Sequence, residues 1–414
     1  MTAAVTYPPG ELLRLLHRRR GPLLRFGAGR RRFAYMLGAE ANRFVFANDD
    51  LFTMREAFEG LVPVDGETSL IVSDGTDHRR RRRLVQPSMH HRQVDQYLAI
   101  MTESADEVID RWRPGDVVDA YQAFRAAIRR STLRSLFGAR LADDADFLGE
   151  HLQALLDLVD RSPDVIRLHR RLRTPLWRRA MWARALVDER IHGEIARVRE
   201  EGADAGDRVL AMLVNGRDED GGGLSDQEVR DQAVTLIAAG YETTSAAMAW
   251  AVHLLVTHPE ARQRAAANHR YVRAFVTETL RLYPPAVVSA RHVAKAFEFA
   301  GRKVPAGTIL LYSPYVTHRS AAVYEDPLMF RPERWLPGEP AYRKVGPHEF
   351  VPFGGGPHRC VGATMATTEL TVMLGRLLER TELSPVAQRI RPTGFAAMRP
   401  KHGLRVRVDR VAAV

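Results

Sequence analysis

A run of about thirty residues, from Ser225 to the pair His258-Pro259, is apolar on nearly every side and constrains the fold more than any other stretch. Ser225 followed by Glu228 three positions later is a capping box, in which each side chain satisfies a backbone N–H that the first helical turn would leave unpaired. Beyond it, Val234, Leu236, Ile237, Ala238, Ala246, Met248, Trp250, Val252 and Leu254 surround the helix axis. A helix with no polar face has to be enclosed by the rest of the chain. Its middle breaks the pattern with Ala239-Gly240-Tyr241-Glu242-Thr243-Thr244. A glycine, an acid and two hydroxyls inside a buried helix are costly unless they have partners or a purpose.

Helical spacing of apolar residues recurs at Val94 to Trp112, Asp119 to Leu136, Ala145 to Val159 and Met181 to Glu201. Strand signals are short and sit at Arg31 to Phe46, Phe297 to Val304, Thr308 to Tyr312 and Leu404 to Val408. The chain is therefore expected to be mainly α with small β-sheets, an α+β arrangement in a single large domain spanning residues 1–414. Residues Gly202 to Gly223, rich in Asp and Gly, are expected to form a flexible connection inside that domain. With 45% hydrophobic residues, a large core is available. The single cysteine, Cys360, excludes an intramolecular disulfide and suits a reducing compartment, so a cytoplasmic location is expected. The N-terminal segment, residues 1–32, has no apolar run long enough for a bilayer or a signal core. The formal charge of +11 raises a nucleic-acid reading. Its basic residues are scattered among apolar ones rather than gathered in one module, so no nucleic-acid partner is expected. An arginine face for an acidic protein partner fits better.

The most specific signal is Phe353-Gly354-Gly355-Gly356-Pro357-His358-Arg359-Cys360-Val361-Gly362. Glycines let this loop, residues 353–362, turn tightly and approach a flat group, and its N–H groups can hold a thiolate. The apolar stretch Ala363 to Leu378 then starts a helix whose positive end faces the sulfur. The segment resembles the haem-binding loop of the cytochrome P450 family, in which a cysteine thiolate ligates the iron and favours O–O cleavage. Further motifs follow the family order. Glu278-Thr279-Leu280-Arg281 is similar to its Glu-x-x-Arg helix, and Phe330 to Trp335 is similar to the segment carrying a second arginine.

The resemblance implies haem b bound by Cys360 as metal ligand, with Phe353 and Gly362 framing the loop. His78, Arg82, Arg291 and His358 are implied to meet the propionates. Glu278, Arg281 and Arg334 are implied to form a buried ionic cluster. In the central helix, residues 225–257, Ala239 and Gly240 match the small pair beside the iron, and Glu242 and Thr243 match the acid-alcohol pair that relays protons to dioxygen. The bland alternative for Thr243 is a hydroxyl bonded back to the preceding turn. Arg79, Arg80, Arg81 and Arg83 are read as a solvated basic face, which in this family meets the electron donor. One departure is Ser320-Ala321 after His318-Arg319, where Asp-Pro is frequent.

The function implied is a monooxygenase that hydroxylates or epoxidises a lipophilic small molecule of fatty acid, terpenoid, steroid or polyketide type. No dinucleotide fingerprint is present, so electrons from NAD(P)H are expected through a ferredoxin or flavodoxin with its reductase. A peroxide-driven or non-oxidative haem-thiolate enzyme, or a haem sensor, are the alternatives; the Glu242-Thr243 pair argues against the first. By family position the pocket is lined by Leu70 and Ile71, by Thr235, Leu236 and Ala239, by Ala286 to Ser289 including Val287 and Val288, and by Phe395 to Met398 including Ala397. The stretch Arg167 to Arg184 could touch a membrane or cap the pocket entrance; membrane contact is not expected, and a monomer is.

Overall fold

The computed structural model describes residues 4–29, 31–138, 140–141, 144–161, 163–202, 208–394 and 396–412. The central helix runs Asp226–Thr257 with Ser225 as its N-cap. Both halves of the capping box form: the Glu228 N–H donates to Ser225 Oγ at 3.2 Å, and the Ser225 N–H donates to Glu228 Oε2 at 3.0 Å. Helices Ala120–Phe137, Pro175–Glu201, His269–Leu282 and Ala363–Arg380 pack directly around it. Trp250 shows why this helix is enclosed. Its indole lies flat on Tyr283 with ring centroids 4.4 Å apart, and its Nε1–H donates to the Met398 carbonyl at 2.8 Å, so both its apolar face and its polar edge are satisfied. Phe124 and Ile128 on the neighbouring helix have no exposure, and each such side chain stabilises the fold by about 1.5–3 kcal/mol.

The sheets sit beside this body. The largest has five strands in the order Leu23–Ala28, Arg31–Met36, Ile309–Tyr312, Ser289–Val293 and Phe52–Thr53, and only the Arg31–Met36 and Ile309–Tyr312 pair is parallel. Ala34 and Leu310 face each other across that pair with no exposure, which fixes its register. A three-stranded sheet joins Val117–Asp119, Arg405–Val411 and Thr381–Pro385. Among the described residues no helix is long and apolar enough to cross a membrane.

Two expectations are corrected here. Strand structure from Arg31 ends at Met36, and Ala39–Ala47 is a helix that buries Ala41, Asn42, Val45 and Phe46 as one stripe. The β-like residues Phe44 to Phe46 follow Ala-Glu-Ala, and their burial follows a helical period rather than alternation. Within Gly202 to Gly223, Val209–Asn215 is a helix with Val209, Leu210, Ala211, Leu213 and Val214 buried, so much of this connection is packed. Residues 203–207 of it lie outside the described residues.

Candidate active site

The cysteine loop takes its shape from contacts that only glycine allows. Gly354 and Gly356 both have φ +67, and a Cβ on Gly355 would lie 2.4 Å from the Phe46 ring. The Cys360 N–H donates to the Phe353 carbonyl at 2.9 Å, closing the loop, while Phe353 itself packs on the main core. Cys360 is exposed, immediately ahead of the helix Ala363–Arg380, whose N-cap is Gly362. Surrounding protein pushes the thiol up, and the backbone bond to Gly362 with the charges of Arg82 and Arg359 pulls it down.

Behind the loop lie the Glu-x-x-Arg residues. Arg281 grips Glu278 with two bonds of 2.7 Å, both side chains having no exposure, and Arg334 Nε stands 3.4 Å from Glu278. The Arg331 N–H and Trp335 Nε1–H also donate to Glu278, each at 2.9 Å. Arg281 donates in addition to the His318 carbonyl at 2.7 Å, and the Val351 N–H donates to His318 Nε2 at 2.9 Å. His318 thereby couples the cluster to the strand of chain that enters the cysteine loop. In the sequence His318 carries no motif that marks it as a member of this cluster.

Four basic side chains gather on one side of the loop. The rings of His78 and His358 lie 3.9 Å apart, and Arg82 donates to the Arg359 carbonyl at 2.7 Å. Arg291 is buried over the Tyr312 ring. Burial and the charges of Arg82 and Arg291 push His78 down to about 4, and burial, His78, Arg291 and Arg82 push His358 down to about 3. Asp49, 3.7 Å from His358, is the nearby acid that the geometry records. Such a set repels itself and suits a doubly anionic ligand. Together with an accessible thiol, this donor set fits haem with its two propionates.

The central helix supplies the facing wall. Ala239 is exposed in the middle of an otherwise enclosed helix, and Thr235, Leu236, Gly240 and Thr243 are half-buried beside it on the same face. The side chains of the expected acid-alcohol pair have different partners. Thr243 Oγ1–H donates to the Ala239 carbonyl at 2.7 Å. Glu242 is buried and ion-paired with Arg125 at 2.9 Å, with Arg399 Nε at 3.7 Å and the Tyr121 hydroxyl at 3.4 Å. Arg125, Arg399 and Tyr121 come from distant segments, and their helical or strand positions carried no motif that would have marked them.

The remaining expected residues divide. Leu70 and Ile71 stand next to the central helix through a bond from the Leu70 N–H to Gln232 at 2.8 Å. Val287 and Val288 lie at the main core beside the loop whose Met398 N–H donates to the Pro285 carbonyl at 2.9 Å. Ala397 and Met398 are 0% and 1% exposed, so they back this wall rather than line a cavity, a correction to the expectation. Phe395 lies outside the described residues. The solvated-face reading is also corrected for two arginines. Arg80 and Arg81 each donate to Glu228 at 2.9 Å, and Arg80 also reaches the Gly223 carbonyl, so the pair anchors the start of the central helix. Arg79 and Arg83 remain exposed.

A family model for cytochrome P450 matches residues 4–406. Cytochrome P450 139 of Mycobacterium tuberculosis is 50% identical over 426 residues, covering 98% of this chain and 99% of that protein. Cyclooctat-9-en-7-ol 5-monooxygenase of Streptomyces melanosporofaciens is 34% identical over 366 residues, 84% of this chain and 79% of that one. The retinoic acid-bound structure of cyanobacterial CYP120A1 superposes with a TM-score of 0.87 over 97% of this chain and 94% of its own, at 24% identity, a likeness of fold. With the cysteine loop, the Glu-Arg cluster and the accessible stretch of central helix in place, the chain belongs to the cytochrome P450 family and is a haem-dependent monooxygenase.

Proposed function

We propose that this monooxygenase places one oxygen atom into a lipophilic, ring-containing molecule of terpenoid type, with Cys360 as the iron ligand. The observation that carries the reading is the exposure of the single cysteine at the head of the helix Ala363–Arg380, beside four basic side chains. A relative that acts on cyclooctat-9-en-7-ol, a terpenoid, supports the substrate class. Leu70, Ile71, Leu236, Val287 and Val288 offer the apolar wall such a molecule requires.

When bound, haem supplies the oxidising chemistry. His78, Arg82, Arg291 and His358 would hold its propionates, and Ala239 and Gly240, with a methyl group and no side chain, would leave room for it beside the central helix. Thr243 holds a proton that it can release from the Ala239 carbonyl. Arg125 grips Glu242 through Oε2 alone, so the carboxylate acts as a restrained relay. Electrons would come from an acidic ferredoxin or flavodoxin with its reductase, and exposed Arg79, Arg83 and Arg359 suit such a partner.

Cys360→His tests the assignment. The wild-type protein reduced under carbon monoxide should show the strongly red-shifted Soret band of a thiolate ligand, and the variant should lose that band even with haem retained, because imidazole donates less electron density. An unchanged band in the variant removes Cys360 from the iron.

A further inference from the structure

Three consecutive residues of the central helix, Arg230, Asp231 and Gln232, are 0%, 0% and 1% exposed, although all are polar. Such burial is costly unless every group is paired, and here one short segment, residues 62–72, supplies partners to all three, with Asp188 and Gln227 adding to the set. Gln232 is bidentate. Its Oε1 accepts from the Leu70 N–H at 2.8 Å and its Nε2–H donates to the Thr68 carbonyl at 2.7 Å. Asp231 Oδ2 accepts from the Thr68 N–H at 2.9 Å and the Thr68 hydroxyl at 2.7 Å. Arg230 donates to the Val64 carbonyl at 3.2 Å and to Asp188 on the helix Pro175–Glu201 at 2.7 Å. The approach is close enough to require a glycine: a Cβ on Gly66, whose φ is +91, would lie 2.0 Å from Asp231 Oδ1.

The segment 62–72 contains only one turn of α-helix and a 3-10 turn, with no strand ladder of its own. Side chains of the central helix therefore do for it what a neighbouring strand does elsewhere. Gln232 lies three and four positions before Thr235 and Leu236, on their face of the helix. Its two bonds thus set Leu70 and Ile71 at a fixed distance from Thr235 and Leu236.

We propose that Gln232 is a specificity-determining positioning residue: its bidentate grip on Leu70 and Thr68 sets the width of the substrate space, so that the enzyme discriminates by shape between rigid rings and flexible chains. This rests on the pocket reading given above. A wall held by two short bonds cannot follow a ligand's outline, whereas an unpinned segment repacks around a flexible chain.

The test uses the haem-loaded protein and two azoles, 4-phenylimidazole and 1-dodecylimidazole. Each would bind the iron through an unhindered imidazole nitrogen, so a change in the ratio of their dissociation constants between variants reports the pocket rather than the metal. Gln232→Leu, which removes both bonds at similar volume, should shift that ratio by about five-fold or more in favour of the flexible azole. Gln232→Glu keeps the acceptor for Leu70 and loses the donor to Thr68, and should give a smaller shift in the same direction. Haem content and melting temperature are read alongside, since a purely structural role would lower these and leave the ratio alone. Leu70→Phe separates the two levels of the argument. If Leu70→Phe changes the ratio but neither Gln232 variant does, the positioning role is wrong and the pocket stands. If Leu70→Phe changes nothing either, Leu70 does not line the pocket and both readings fall.

Discussion

Arg281→Ala is the perturbation whose cost the structure specifies best. The guanidinium donates five hydrogen bonds: two to Glu278, and one each to the carbonyls of His318, Pro327 and Met329, at 2.7–3.0 Å. Removing one member of a buried ion pair costs about 3–5 kcal/mol, because the other charge is stranded. Glu278 would keep the N–H of Arg331, the indole of Trp335 and the more distant Arg334, which places the loss toward the lower end of that range. The three abandoned carbonyls add about 1–3 kcal/mol for each that stays dry. Even one of them brings the sum to about 5 kcal/mol, comparable with the whole stability of many domains. Arg281→Ala should therefore yield little soluble holoprotein, while Arg281→Lys, which keeps a cation beside Glu278, should recover about 2 kcal/mol of that loss. Urea unfolding followed by Soret absorbance and far-ultraviolet circular dichroism measures both. Arg281→Ala with the wild-type midpoint, or Arg281→Lys no more stable than Arg281→Ala, would refute the reasoning.

Two further outcomes are expected. Thr243→Ala should still bind haem and substrate but release more hydrogen peroxide and less product per NAD(P)H, by a factor of about 10² if the hydroxyl passes a proton; unchanged coupling would leave Thr243 as a helix-internal hydrogen bond to Ala239 and nothing more. Asp65→Asn should stabilise the protein increasingly from pH 5 to pH 8. Burial and Asp231 push the Asp65 carboxyl up to about 7 against the pull of Arg230 and Arg184, so between its ordinary value and 7 the folded state holds a proton that the unfolded state has lost, and wild-type stability falls as pH rises through that window. Of a full effect of about 4 kcal/mol, about 3 kcal/mol falls between pH 5 and pH 8, and an equal difference in melting temperature at those two pH values would exclude it.

What the sequence makes plain is local or rigidly spaced. The capping box at Ser225 and Glu228, the enclosed helix behind it and the helix Ala145–Val159 are all where periodicity and capping place them, because each depends on neighbours within a few turns. The cysteine loop is legible for the same reason: its glycines, its sulfur and the helix that follows are contiguous. Ala39–Ala47 is a helix that reads as strand in the sequence, because Phe and Val favour strands until packing decides otherwise. The partners of Glu242 were invisible because Arg125 and Arg399 are ordinary arginines in the sequence, distinguished only by the tertiary contact that buries them. Arg80 and Arg81 were hidden in a run of like residues in which only the helix phase says which faces Glu228.

The same contrast has a chemical consequence for the two sides of the site. On the thiolate side the conduit from Arg281 to the cysteine loop passes through His318. Its Nε2 accepts from Val351, so Nδ1 carries the proton and lies 3.2 Å from the Arg281 carbonyl. Burial and the charges of Arg281 and Arg319 push this imidazole down to about 3, opposed by its bond to the Arg281 carbonyl. A histidine lowered in the folded state contributes stability that is complete above its ordinary value and lost as pH falls below it. Around neutral pH this side is consequently constant. On the pocket side, Asp65 titrates near neutrality among Arg230, Asp231 and Arg184, the groups that hold segment 62–72 and the helix Pro175–Glu201 together. The Arg184 guanidinium donates to the Pro63 carbonyl at 2.9 Å, so a change in Asp65 charge is felt by two of the arginines that pin the wall. The cysteine loop is thus wired through a group that stays neutral, and segment 62–72 through one that does not.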